Sequence, residues 1–237
     1  GALGPWLQAH PLDTWGCRFA QGAGDAKERR AVRSGRARYV WIVGPDGCGK
    51  STLANEVSAR RGAVHRYWRP GVLPMAQELV GRAVTEGVNA DPHSATQNKS
   101  LRRTFRLCYY ALDYVLGYWL VFRPALRRGQ DVIVERGWAD MTVDPLRYGL
   151  GSSRLAAQLQ HVIHEPDAIV MVLVAASEAR RRKPELTEDE IERQYATWRG
   201  LSLRHAELIE LDNGRPLSES AQELVDWLAG RRPSARG

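Results

Sequence analysis

The segment Gly44-Pro45-Asp46-Gly47-Cys48-Gly49-Lys50-Ser51-Thr52 places the spacing G-x-x-x-x-G-K-S directly after the run Tyr39-Val40-Trp41-Ile42-Val43. An apolar, β-branched run of that length predicts a buried strand, and Leu53-Ala54-Asn55-Glu56-Val57 continues with helical character. Strand, glycine-rich loop and helix in that order make a phosphate-binding loop. Glycines at 44, 47 and 49 let the backbone turn inward so that its N–H groups converge on an anion. The helix N-terminus adds its dipole, Lys50 a mobile positive charge, and Ser51 a hydroxyl of the kind that ligates Mg²⁺. The residues predicted to hold ATP are therefore Gly44, Asp46, Gly47, Cys48, Gly49, Lys50, Ser51 and Thr52. Of the 34 lysines and arginines only four are lysines, and one of these fills the position the motif requires, which argues against a chance glycine-rich turn.

Short β-rich runs then alternate with helical patterns. Strands are predicted at 39–43, 63–68, 131–135, 168–174 and 208–211. Helices are predicted at 50–60, 73–84, 99–128, 153–163, 187–203 and 218–228. That alternation requires crossover connections and a parallel sheet covered on both faces. The expected fold class is α/β, a three-layer α/β/α sandwich on a parallel five-stranded sheet carrying a phosphate-binding loop. Residues 1–37 read as a basic extension or linker, 38–230 as the domain with that loop, and 231–237 as a frayed tail. Within helix 99–128, apolar residues at 101, 105, 108, 112, 115, 116, 119 and 122 predict the core-facing stripe. Arg102, Arg103, Arg106 and Asp113 fall off that stripe, where they could face a polar substrate.

The strand 131–135 delivers Glu135-Arg136 at its C-terminal end, where ligands gather in open parallel sheets. Glu135 can support Mg²⁺ or accept a proton from an attacking hydroxyl, and Arg136 can clamp an anionic group. The following residues, Trp138, Asp144, Arg147 and Tyr148 among them, read as an acceptor-binding loop. After the fourth strand, Arg180-Arg181-Arg182-Lys183-Pro184 suits a lid that closes over phosphates, with Arg180 or Arg182 reaching the developing charge. Arg69, held by the turn Arg69-Pro70-Gly71, is a further candidate acceptor ligand. The predicted catalytic set is Lys50, Glu135, Arg136, Arg180 and Arg182; the metal set is Ser51 and Glu135. The acceptor set is Arg69, Arg103, Asp113, Arg136, Trp138, Asp144, Arg147 and Tyr148.

Gly44 to Leu53, Arg69-Pro70-Gly71, Glu135-Arg136 and Arg180 to Lys183 together resemble the thymidylate kinase family of P-loop kinases over roughly residues 38–230. That resemblance implies ATP and Mg²⁺ as cofactors, transfer of the γ-phosphoryl group, and a basic lid after the fourth strand. Glu135-Arg136 stands where the family has Asp-Arg. The stretch after it, Val143-Asp144-Pro145-Leu146-Arg147-Tyr148, departs from the sequence that serves a nucleotide acceptor. With Leu112-Asp113-Tyr114 and Glu185-Leu186-Thr187 it is similar to divergent members associated with bacterial glycan and surface-polysaccharide pathways. The expected activity is phosphoryl transfer to a sugar or glycan hydroxyl or a small-molecule phosphate. The alternatives are a thymidylate kinase and a non-catalytic ATP-binding regulatory module.

Composition narrows the partners. The net charge of +7 is carried by arginines that suit bidentate phosphate recognition and equally reflect a codon bias. They are scattered rather than interleaved with aromatics, so nucleic acid is not a favoured partner. The most apolar stretch, Leu107 to Phe122, is about four turns long and contains Asp113, which is short of a membrane span. Cys17, Cys48 and Cys108 form no C-x-x-C pair, and a reducing cytoplasm is the expected compartment. The start at Gly1 rather than methionine reads as a trimmed chain or a piece of a longer polypeptide, and an upstream domain and assembly as a homodimer are left open.

Overall fold

The computed structural model describes residues 36–74, 94–145, 147–148 and 154–231, with side chains in the second helix from residue 103 onward. Five strands, β1 (Tyr39–Val43), β2 (Val64–Tyr67), β3 (Val132–Glu135), β4 (Ala168–Leu173) and β5 (Glu207–Asp212), form one all-parallel sheet in the order β2-β3-β1-β4-β5. Every residue of β1 and β3 is buried, whereas β2 and β5 at the edges are only partly covered. This is why the central strands read as continuous apolar runs: helices cover both of their faces. Trp41 tolerates full burial because its indole N–H donates to the Tyr39 hydroxyl at 2.6 Å.

The helices are α1 (Lys50–Arg61), α2 (Ser94–Gly117), α3 (Arg123–Arg127), α4 (Asp140–Val143), α5 (Arg154–Leu159), α6 (Ala176–Arg182), α7 (Glu188–Arg199) and α8 (Leu217–Leu228). α1 and α8 pack on each other in one layer; α2 meets α5, α5 meets α4, and α4 meets α7 in another. The three-layer α/β arrangement expected from the sequence is the one observed. α7 starts at an N-capping Thr187, whose hydroxyl accepts from the Glu190 amide at 3.2 Å.

The predicted helix 99–128 is instead two helices joined by a π-helical turn over Tyr118–Phe122. Pro124 has no N–H to give the carbonyl four residues back, and the turn closes through the Arg123 amide to the Tyr118 carbonyl. The core-facing stripe is also rotated from the expected one. Leu107, Tyr110, Ala111, Tyr114 and Phe122 are buried, while Phe105, Cys108, Leu112 and Trp119 are exposed. Leu73 and Pro74, the start of the helix expected over 73–84, are not helical, and the rest of that segment lies outside the described residues. Residues 1–35 and 232–237, where the linker and the tail were expected, also lie outside them. Among the described residues no helix is long and apolar enough to cross a membrane.

Candidate active site

The loop between β1 and α1 wraps the C-terminal end of the central strand, and β3 sets its partner beside it. Ile42 is in register with Glu135 in β3, and Glu135 with Tyr67 in β2, so residues just past those strands arrive at one edge. Gly47 shows why the loop needs glycine. Its φ is +86°, and a Cβ there would meet the Ala179 carbonyl oxygen of α6 at 2.2 Å. The loop is thereby pressed against the basic helix that follows β4.

Two non-glycine residues at the same edge adopt left-handed backbone conformations, Trp68 (φ 65°) after β2 and Arg136 (φ 61°) after β3. Such geometry costs on the order of 1–3 kcal/mol and persists where surrounding bonds impose it. Here the Trp68 amide donates to the Glu135 carbonyl at 2.7 Å and the Arg136 amide to the Ile42 carbonyl at 2.9 Å. The result is that Arg136 turns into the site rather than continuing the strand.

One cavity of about 400 Å³ gathers Asp46, Lys50, Ser51, Tyr67, Glu135, Arg136, Arg147, Arg182 and Lys183. Asp46, buried at its centre, is ion-paired to Arg136, to Arg147 at 2.9 Å and to Lys183 at 3.1 Å, with the Lys50 ammonium 3.7 Å away. Burial alone would raise the Asp46 pKa. The Arg136 and Lys50 charges and the hydrogen bonds from Arg147 and Lys183 outweigh it and hold the carboxyl well below the usual carboxylate range. Arg136 is also ion-paired to Asp140 at 3.3 Å, and both carboxylates keep its guanidinium charged against the cost of burial. Four cations around one carboxylate leave a surplus of positive charge facing the phosphate loop.

Ser51 and Glu135 form the second feature. The Ser51 hydroxyl donates to Glu135 Oε1 at 2.5 Å, and His65 Nε2 lies 3.7 Å from Oε2. Burial raises the Glu135 pKa, but His65, the Ser51 hydroxyl and the Lys50 charge together lower it, so it is a carboxylate at neutral pH. A hydroxyl and a carboxylate converging on one point fit Mg²⁺, which takes few protein ligands and keeps waters and phosphate oxygens for the rest. Lys50 Nζ donates to the Pro45 carbonyl at 2.5 Å and so rests inside the loop. Cys48 is fully buried, and burial pushes its thiol pKa up, which makes it an inert part of the loop wall.

Several residues expected in the site lie elsewhere. Trp138 is fully buried, with its indole N–H donating to the Ala156 carbonyl at 2.9 Å and its ring edge-on to Tyr114; it is a core residue, not an acceptor contact. Asp113 has no exposure: it accepts from Arg69 at 3.1 Å, from the Gly71 amide at 3.1 Å and from the Leu73 amide at 2.7 Å. Arg69 and Asp113 thus clamp the turn after β2 instead of facing the cavity. Arg103 sits on the exposed side of α2. Arg180 points outward, 3.7 Å from Glu188, and the inward members of the basic run are Arg182 and Lys183. The run 180–182 is the end of helix α6, so successive side chains rotate by about 100°. Asp144 receives the Arg147 amide at 3.3 Å, and Tyr148 donates to Asp140 at 2.6 Å while stacking on Trp68.

Lys183, Asp140 and His65 were not in the expected set. Each had a sequence signal: a lysine in an arginine-rich chain, a carboxylate four residues after Arg136, and a histidine two residues before Tyr67 on one strand face. The clamp yields a direct expectation. Asp113→Ala leaves the buried Arg69 without its carboxylate and should destabilise the protein by about 3–5 kcal/mol, read from the urea midpoint.

No protein-family model matches the chain. No curated protein matches it in sequence either. Among solved structures it is similar to a thymidylate kinase from Ehrlichia chaffeensis, with a TM-score of 0.50 and 15% identity, covering 82% of this chain and 100% of that one. The chain therefore has a thymidylate-kinase-like P-loop fold.

Proposed function

We propose that this chain is an ATP-dependent phosphotransferase that moves the γ-phosphoryl group of Mg²⁺-ATP to a polar acceptor, a sugar or glycan hydroxyl or a small-molecule phosphate, in a cytoplasmic glycan pathway. One observation carries the reading: Lys50, Arg136, Arg147 and Lys183 surround Asp46 in the cavity that also holds the Ser51–Glu135 pair. A surplus of fixed cations beside a phosphate loop is what phosphoryl transfer needs, since its catalysis is mainly positioning and charge stabilisation.

In this scheme the loop amides and helix α1 hold the β- and γ-phosphates, and Lys50 leaves the Pro45 carbonyl for the phosphate oxygens. Arg147 and Lys183 exchange the Asp46 carboxylate for the transferring group, with Arg182 beside them. Asp46, relieved of those partners, is free to accept a hydrogen bond from the acceptor. Ser51 and Glu135 would hold Mg²⁺, which neutralises charge on the β- and γ-oxygens when bound. Because Ser51 already engages Glu135, support of the metal is the role assigned to Glu135.

The acceptor assignment draws support from how the aromatic residues near the site are spent. Trp68 stacks on Tyr148 at 5.2 Å and meets Tyr110 edge-on at 4.9 Å, and Arg69 lies over Tyr110. Tyr67 is the one aromatic among the described residues lining the cavity, whose other walls are polar. Hydroxyl-rich acceptors suit such walls better than a nucleobase, which wants an apolar or aromatic face. The fold likeness favours a second reading, thymidylate as acceptor. Parallel assays of thymidylate and a panel of sugars and glycan fragments separate them: labelled sugar with inert thymidylate is expected, and labelled thymidine diphosphate would replace the proposal.

Glu135→Gln should lower kcat by about 10²–10⁴-fold while leaving ATP affinity within a few-fold. Mn²⁺ in place of Mg²⁺ should restore part of the loss. Turnover that stays absent with Mn²⁺ would make Glu135 the base instead.

A further inference from the structure

We propose that the opposite end of the sheet carries a second site, for a soluble phosphate ester. It lies at the N-terminal ends of β1 and β4, separated from the phosphate loop by the length of β1, about 13 Å. Two cavities of about 280 and 490 Å³ share Tyr118, His164, Glu165 and Asp167 as walls. Together they are of the size that small-molecule sites occupy, about 300–1,000 Å³.

The smaller cavity is lined by Arg36, Arg123 and Arg127. Its two carboxylates, Glu165 and Asp167, are held by backbone amides and keep their charge, so the three guanidinium groups exceed them by one. Asp167 accepts the Tyr39 amide at 2.7 Å; Glu165 accepts the Arg204 amide at 3.0 Å and the His205 amide at 2.9 Å. Among the described residues Arg36 and Arg127 have no ion pair, and Arg123 has only the Trp119 ring, 4.4 Å from its guanidinium carbon. The guanidinium groups outnumber the carboxylates on this cavity and lie within about a Debye length of one another, ~10 Å at 0.1 M salt, so the surplus attracts an anion. Phosphate fits because its oxygens accept the paired N–H groups that guanidinium presents.

The larger cavity continues from this cationic end past Trp119, which is half-exposed, His161 and His164. His164 is stacked on Tyr118 with ring centroids 3.6 Å apart. Burial holds His164 below the usual histidine range, with Asp167 and Glu165 opposing and Arg204 and Arg123 adding to the shift. Tyr118 and Trp119 belong to the π-helical turn, and such turns recur at functional sites. The arrangement suits an ester whose phosphate meets the arginines and whose ring or sugar occupies the aromatic and imidazole-lined part.

Calorimetric titration of the full chain tests this, with pyrophosphate and UMP as probes. Lys50→Ala is the background, so that the phosphate loop contributes little. Binding of both probes to Lys50→Ala is expected, and adding Arg123→Gln and Arg127→Gln should weaken it at least tenfold with circular dichroism unchanged. Arg127→Gln alone, an exposed change, should weaken it several-fold and stands in if the triple variant does not fold. No binding to Lys50→Ala, or an affinity indifferent to Arg127, would overturn the proposal whether or not the chain transfers phosphate.

Discussion

Lys50→Ala should reduce phosphoryl transfer by about 10²–10³-fold, the cost typical of removing one preorganised group that meets developing charge. The side chain is buried against the Pro45 carbonyl and Asp46, but Asp46 keeps Arg136, Arg147 and Lys183 as partners, so its loss leaves no buried charge unpaired. Thermal unfolding of the free protein should therefore change little. Part of the effect should appear in ATP affinity and most of it in kcat, because the charge on the γ-phosphoryl group grows in the transition state. A rise in KM alone, with kcat intact, would mean that Lys50 only binds.

Asp46→Ala is the second large effect, and it acts on stability. The substitution leaves Arg136 and Lys50 buried without the carboxylate they share, and deprives Arg147 and Lys183 of theirs. Removing one partner from a buried ionic cluster costs about 3–5 kcal/mol; Asp140 still holds Arg136 and Glu185 still holds Lys183, so about 3 kcal/mol is expected. Inorganic phosphate or sulfate should restore much of the loss by taking the vacated position among the cations, whereas it should restore nothing to Asp113→Ala. The pH dependence of the wild-type protein has a matching sign. The folded-state pKa of Asp46 lies below its unfolded value of about 3.9, so the stabilisation is present above that value and is lost as pH falls through it toward the folded one.

Much of this was legible in the chain itself. The phosphate loop, the Glu135-Arg136 pair and all five strands followed from local pattern, because central parallel strands are apolar throughout and the loop's glycines answer to backbone geometry. What failed was side-chain phase. Helix α2 has apolar residues on two sides, and only packing decides that Leu107, Tyr110 and Tyr114 turn inward while Phe105, Leu112 and Trp119 turn outward. The same ambiguity exchanged Arg180 for Lys183, since a basic run in a helix points in several directions. Trp138 was misplaced for a different reason. It follows Gly137, where a Cβ would meet the Trp41 ring at 2.2 Å, and that close approach, invisible in sequence, carries the tryptophan into the core.

The central claim is that the cations around Asp46 serve transfer and not merely retention of a nucleotide. Transfer from γ-labelled ATP to a mixed panel of sugars, glycan fragments and thymidylate, with ATP binding measured on the same protein, tests it most directly. The account predicts a labelled acceptor that disappears in Lys50→Ala. Tight ATP binding with no labelled acceptor anywhere in the panel would contradict it and make the chain a nucleotide-binding regulatory module.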